Sequence, residues 1–228
     1  MSPQTVTKES TEKRQPGRRN ADASRQRILS AATDAFAAQG LDGARVDEIA
    51  DRAGINKRML YHYFGNKDDL FAAVLDQLYE TICTESAELD IVSSSARIGL
   101  TKLIDFVVDF YLENPHAITL LNAENLHKAR HLRTSARIRS IQVPFEEMLD
   151  ALLARGVAEG MFRSGVNGAR LYISIVGLIY YYLSNGHSLS VFFDRDLYDR
   201  DEIELWRAHI HEMVEHFVSA SQNQGDQT

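Results

Sequence analysis

Cysteine occurs once, at Cys83, so no disulfide can form within the chain. Proline occurs four times, and its scarcity leaves long stretches free to run as uninterrupted helix. Long apolar runs are missing as well. The longest, about residues 171–183, is too short and too broken by polar residues to span a bilayer. No apolar segment opens the chain, so a cytoplasmic protein without a membrane partner is expected. The usual catalytic signatures are also absent: there is no Gly-rich phosphate loop, G-x-S-x-G elbow, H-E-x-x-H or paired-Cys motif. An enzyme is therefore not expected, nor a cofactor. Positive charge is in deficit, with 25 Lys and Arg against 32 Asp and Glu and a formal charge of -7.

That deficit is unevenly distributed. Residues 1–67 hold 12 basic against 8 acidic side chains, and the remainder holds 13 against 24. A basic segment on an acidic body suits a polyanion at one end only, because the body repels the phosphate backbone and favours one docking orientation. Lys13, Arg14, Arg18, Arg19, Arg25 and Arg27 form a basic lead-in that can track phosphates or enter a minor groove. Residues 1–20 are read as a disordered basic arm and 221–228 as a disordered tail.

The stretch from Val46 to Lys67, VDEIADRAGINKRMLYHYFGNK, is where chemistry concentrates. Val46, Ile49, Ala50 and Ala53 lie at helical spacing and give one apolar stripe. Gly54 supplies the permissive backbone of a sharp turn, Ile55 plugs it, and Asn56 is placed to cap the next helix. In that helix Leu60 and Phe64, four apart, share the buried face. Lys57, Arg58, Met59, Tyr61, His62 and Tyr63 are left for DNA. Lys57 and Arg58 in the first turn suit base edges, and arginine pairs bidentately with guanine. The tyrosine hydroxyls suit phosphate oxygens. Asn66 and Asp69 have the spacing of a capping box, which puts Lys67 at a helix N-terminus as a phosphate site.

From about Ser24 to Cys83 the chain resembles the DNA-binding domain of the TetR family of bacterial transcriptional regulators. The resemblance rests on RILSAATDAFAAQG, the Ile49-Ala50 and Ala53-Gly54 pairs, and LYHYFGNKDDLF from Leu60 to Phe71. It implies the phosphate role for Lys67. The family often has Thr where this chain has Ala44, so a capping and phosphate-contacting hydroxyl is missing; Arg45 beside it is a candidate substitute.

The resulting expectation is an all-α protein of about nine helices. A three-helix DNA-binding domain spans residues 21–84, with the helix-turn-helix at about 45–64. A larger helical ligand-binding and dimerisation domain spans 85–220. Leu70, Phe71, Val74, Leu75, Leu78 and Ile82 form the stripe of a helix linking the two. A further helix is predicted over about 96–113, ended by Asn114-Pro115, with Asn capping and Pro opening the next. Pro144 is expected to start or kink a helix reaching about Glu159.

The segment 171–183 is apolar nearly all round, and Trp206, Ile210, Met213 and Phe217 make a second stripe. Val176, Ile179, Leu183 and these four are therefore candidates for a homodimer interface, the four-helix arrangement that the resemblance implies. The alternative for both stripes is intrachain core. A twofold dimer reads a roughly palindromic operator on double-stranded DNA.

The resemblance also implies a small-molecule effector in the larger domain. The polar candidates near apolar stretches are Asn122, Asn125, His127, Tyr172 and Tyr180. Glu124, His127 and His131, at i, i+3 and i+7, have a spacing that can hold a metal, but no fourth ligand is evident and a metal is not expected. The His209, His211, Glu212 and His216 group is weaker still. The function expected is a ligand-responsive repressor. The alternatives are an activator of the same fold, or a helical ligand-binding protein without operator binding.

Overall fold

The computed structural model describes residues 16–91 and 93–220. Among them are nine α-helices: α1 (Pro16–Gly43), α2 (Val46–Arg52), α3 (Lys57–Phe64), α4 (Lys67–Ala87), α5 (Ala96–Glu113), α6 (His116–Leu126), α7 (Ala136–Ala158), α8 (Gly168–Phe193) and α9 (Arg200–Val218), with a 3₁₀ turn at Leu132–Thr134. The described residues contain no strand, only an isolated bridge between Phe162 and Ser219. The chain is all-α, as its periodicity predicts.

Helix α1 begins at Pro16, so the last residues of the expected arm are helical. Lys13 and Arg14 lie outside the described residues. Ile28, Ala32, Ala35 and Phe36 bury one face of α1, and regular winding stops at Gly40, whose φ of 69° suits a residue without Cβ. The small domain closes where Phe36 meets Phe71 of α4 edge-to-face, ring centroids 5.0 Å apart. Such a pair adds about 0.5–1.5 kcal/mol beyond its area burial.

Helix α4 carries the predicted stripe: Leu70, Phe71, Val74, Leu75 and Leu78 are buried. It continues to Ala87, so the boundary expected after residue 84 falls within one continuous rod. In the larger domain α5 packs against α7, α8 and α9, while α6 packs on α1 as well as on α8. The core there includes Leu100, Leu103, Ile104, Leu149, Leu152 and Ile175.

Two helix boundaries differ from expectation. Pro144 lies inside α7, which starts earlier, at Ala136, because Ser135 caps it by accepting from the Ile138 amide at 3.2 Å. Asn114 closes α5 instead of capping α6: its side-chain amide donates to the Phe110 carbonyl at 3.0 Å. The N-cap position of α6 is Pro115 itself. No described helix is long and apolar enough to cross a membrane.

Candidate nucleic-acid interface and effector cavity

The turn between α2 and α3 forms as its residues dictate. Gly54 has φ of 65°, a conformation that disfavours any side chain. Asn56 caps α3, its Oδ1 accepting from the Met59 amide at 2.8 Å. Leu60 and Phe64 then face inward, 0% and 7% exposed, and Arg25 of α1 lies over the Phe64 ring, its guanidinium carbon 4.6 Å from the centroid. Lys57, Arg58, Met59, Tyr61 and His62 all face solvent, and Tyr63 is half-buried.

These side chains are not equally available. Lys57 is paired with Asp47 of α2 at 2.9 Å, and that hydrogen bond raises its pKa above the usual lysine value. A phosphate or base must displace Asp47 to recruit it. Arg58 has no ion-pair partner among the described residues, so its guanidinium carries no such competing contact. Arg45 occupies the N-cap position of α2 and makes no side-chain cap; its Nε lies 3.9 Å from Glu48. Ala44 is 2% exposed and belongs to the core. The first turn of α2 therefore lacks the hydroxyl cap, while the Arg45 side chain projects into solvent.

Asn66 caps α4, but the reciprocal bond of a full capping box does not form, because the Asn66 amide donates to the Phe64 carbonyl instead. Asn66 Oδ1 accepts from the Asp69 amide at 2.9 Å, and Asn66 Nδ2 donates to Asp69 Oδ2 at 2.6 Å. Lys67 Nζ donates to the Asp42 carbonyl at 3.1 Å, so its ammonium ties the start of α4 to the end of α1 beside the recognition helix.

The larger domain carries a partly open cavity of about 510 Å³ lined by α4, α5, α6, α7 and α8. Of the sequence candidates, Tyr172 and Tyr180 line it and Asn125 stands at its rim. Asn122 acts one step back, accepting from the Tyr180 hydroxyl at 2.7 Å. His127 does not line the cavity. It turns toward the small domain, 3.9 Å from Asp42.

Sequence reasoning missed Tyr79, Cys83, Tyr111 and Phe145, which also line the space. A signal for the first two existed: Tyr79 and Cys83 repeat at i, i+4, one position beyond Leu78 and Ile82. Burial raises the pKa of both Tyr79 and Tyr111, and takes Tyr172 to about 12.

Glu124 and His131 bind each other. Glu124 borders the cavity and is 1% exposed. Its Oε1 accepts from the amides of His131 and Leu132 at 2.8 and 3.0 Å, and its Oε2 lies 2.5 Å from His131 Nδ1. On its far side His131 Nε2 approaches Asp68 Oδ1 at 3.2 Å, in the first turn of α4. Arg130 also pairs with Asp68, and Ser135 bonds Asp76 further along α4 at 2.5 Å. Among the described residues no trio of His, Cys, Asp or Glu has the geometry to hold a metal. In α9, His211 is engaged with Asp105 at 2.8 Å and His216 with the Glu212 carbonyl.

The interface stripes divide. Ile179, Leu183 and Ile210 are buried in the chain's own core at 1%, 8% and 0% exposure, so these three expected interface residues serve intrachain packing. Val176 and Trp206 are half-buried, the latter stacked on Tyr182 at 4.8 Å. Met213 and Phe217 are exposed. Uncovered apolar side chains missed by the stripe include Ile173, Tyr181, Val191, Phe192 and Phe193 on α8 and Leu205 on α9.

A small helical head that offers a recognition helix, continuous through one rod with a larger helical body, is the architecture of a helix-turn-helix transcriptional regulator. The chain belongs to the TetR family. Residues 28–74 match the "Bacterial regulatory proteins, tetR family" domain and residues 97–214 the "Tetracyclin repressor-like, C-terminal domain". The HTH-type transcriptional repressor NicS of Pseudomonas putida is 34% identical over 194 residues, 85% of this chain and 92% of that protein. The HTH-type transcriptional activator FasR of Mycolicibacterium smegmatis is 28% identical, over 67% of this chain and 74% of that one. A TetR transcription regulator from Haloarcula marismortui has the same fold, with a TM-score of 0.65 at 22% identity, covering 87% of this chain and all of its own.

Proposed function

We propose that this protein is a cytoplasmic repressor that binds a roughly palindromic operator as a homodimer and releases it when a small molecule enters the cavity. The observation that carries the ligand response is the continuity of Glu124, His131 and Asp68: a wall of the cavity is hydrogen-bonded to the helix turn that bears Lys67. A ligand that displaces Glu124 pulls on α4 and re-aims the head. Such a shift requires a ligand that binds the two states with different affinity.

The repressor sign is supported by the likeness to NicS over nearly its whole length. The homodimer is supported by the uncovered apolar positions Ile173, Tyr181, Leu205, Met213 and Phe217 on adjacent helices α8 and α9. Footprinting on the DNA flanking the protein's own gene, with and without metabolites, tests the reading. A protected inverted repeat lost on adding one compound is expected; no protection at any concentration would remove it. The activator FasR supports a second sign on the same head, distinguished by whether the protected site lies upstream of the promoter or across it.

A further inference from the structure

The cavity is lined almost entirely by apolar and phenolic side chains, and the balance of its few polar groups is informative. Glu124 is the sole Asp, Glu, Lys, Arg or His in the lining. Its charge is already taken up by two backbone amides and His131. The guanidinium whose field reaches Cys83, that of Arg137, is held by Glu80 outside the lining. By contrast, the hydroxyls of Tyr79, Tyr111 and Tyr172 make no hydrogen bond with any described residue, whereas that of Tyr180 is committed to Asn122 and Ile118. Burial keeps these phenols protonated at neutral pH, so each presents an O–H to the space. Three phenolic hydroxyls that no described protein group engages, set around one water-accessible hollow, are available to bond a ligand's polar atoms.

We infer that the effector is an uncharged ring compound, held between aromatic and aliphatic walls and read through its polar atoms by the hydroxyls of Tyr79, Tyr111 and Tyr172. This inference rests on the cavity being the effector site. A carboxylate or phosphate would give up its hydration and meet no cation, only the Glu124 carboxylate. A cation would find that carboxylate already bonded. The phenyl faces offer selectivity for rings: Phe145 and Tyr172 meet edge-to-face at 4.7 Å, as do Tyr111 and Tyr180 at 5.6 Å. The volume of about 510 Å³ accepts a compound of two or more fused rings.

Four probes on one skeleton test the assignment by calorimetry on the full chain at neutral pH: naphthalene, naphthamide, naphthoate and naphthylmethylammonium. Naphthamide is expected to bind tightest, with naphthoate and the ammonium compound weaker by about tenfold or more. Tyr79→Phe, Tyr111→Phe and Tyr172→Phe, each first shown to melt like the parent, should together weaken naphthamide by about tenfold. The same variants should leave naphthalene unchanged, a split that general loss of packing would not produce. Tightest binding by naphthoate or by the ammonium compound overturns the uncharged class while leaving the cavity as the effector site. Equal naphthamide affinity in the parent and the Phe variants overturns the role of the hydroxyls. If none of the four binds, both the class and the reading of this cavity as the effector site fall.

Discussion

Glu124 Oε2 lies 2.5 Å from His131 Nδ1, and the two side chains are 1% and 7% exposed. They are the buried ionisable Glu and His side chains among the described residues. The pair sits between the cavity and Asp68 at the start of α4. A buried charged group is tolerable only when its partners are in place. Glu124→Gln should therefore leave operator binding without effector within about threefold of the parent while blunting effector-induced release, as read by gel shift across an effector titration. His131→Ala leaves the carboxylate with its two amides alone and should cost about 2–3 kcal/mol in chemical denaturation. Full effector-induced release by Glu124→Gln would refute the coupling.

Arg58 stands in the first turn of α3 without an ion-pair partner. Arg58→Ala should cost about 1–3 kcal/mol in operator affinity and relax specificity at one base position, measured by binding-site selection. An unchanged selected sequence would move the base-reading role to another residue.

Lys67 contributes differently, since its ammonium sits at the start of α4 and already bridges to the Asp42 carbonyl. Lys67→Ala should weaken all DNA sequences alike and reduce the slope of log affinity against log salt by about one unit. A loss confined to the operator sequence would contradict a phosphate contact.

His116 opens α6, and burial lowers its pKa below 6.5, with Asp34 opposing the shift. The folded state therefore favours the neutral imidazole. Its contribution is present above pH 6.5 and is lost as the pH falls through the lowered value, where the folded ring takes up its proton. Thermal melts between pH 7.5 and pH 5 should show a decline that His116→Gln flattens; an unaltered profile in the variant would assign the decline to other groups.

The exposed apolar positions of α8 and α9 predict a dimer in solution without DNA. Tyr181→Asp combined with Leu205→Glu places charge on that face without touching the buried Ile179, Leu183 or Ile210. The parent should sediment as a dimer at micromolar concentration and the double variant as a monomer with the same melting behaviour. A parent that sediments as a monomer would count against the interface.

Local rules made much of the head legible in advance. A cap binds three residues away, a turn glycine acts on its own φ, and an apolar stripe needs a 3.6 period, so Asn56, Gly54, Asn66 and the Leu70 to Leu78 face followed from neighbours in sequence. The family resemblance likewise follows from contiguous residues. The body was less legible. Apolar periodicity marks burial without saying what does the burying, so Ile179, Leu183 and Ile210 could not be told from the outward Ile173, Tyr181 and Leu205. Glu124 and His131 share a face at i, i+7, which suits a metal site as well as an ion pair. Only the fold shows what they do, folding the segment after α6 back so that two amides and the imidazole converge on one carboxylate. Asp68, more than fifty residues earlier, completes the path. A cavity is the space between elements distant in sequence, and its walls of Tyr79, Tyr111 and Tyr172 exist only once α4, α5 and α8 are packed.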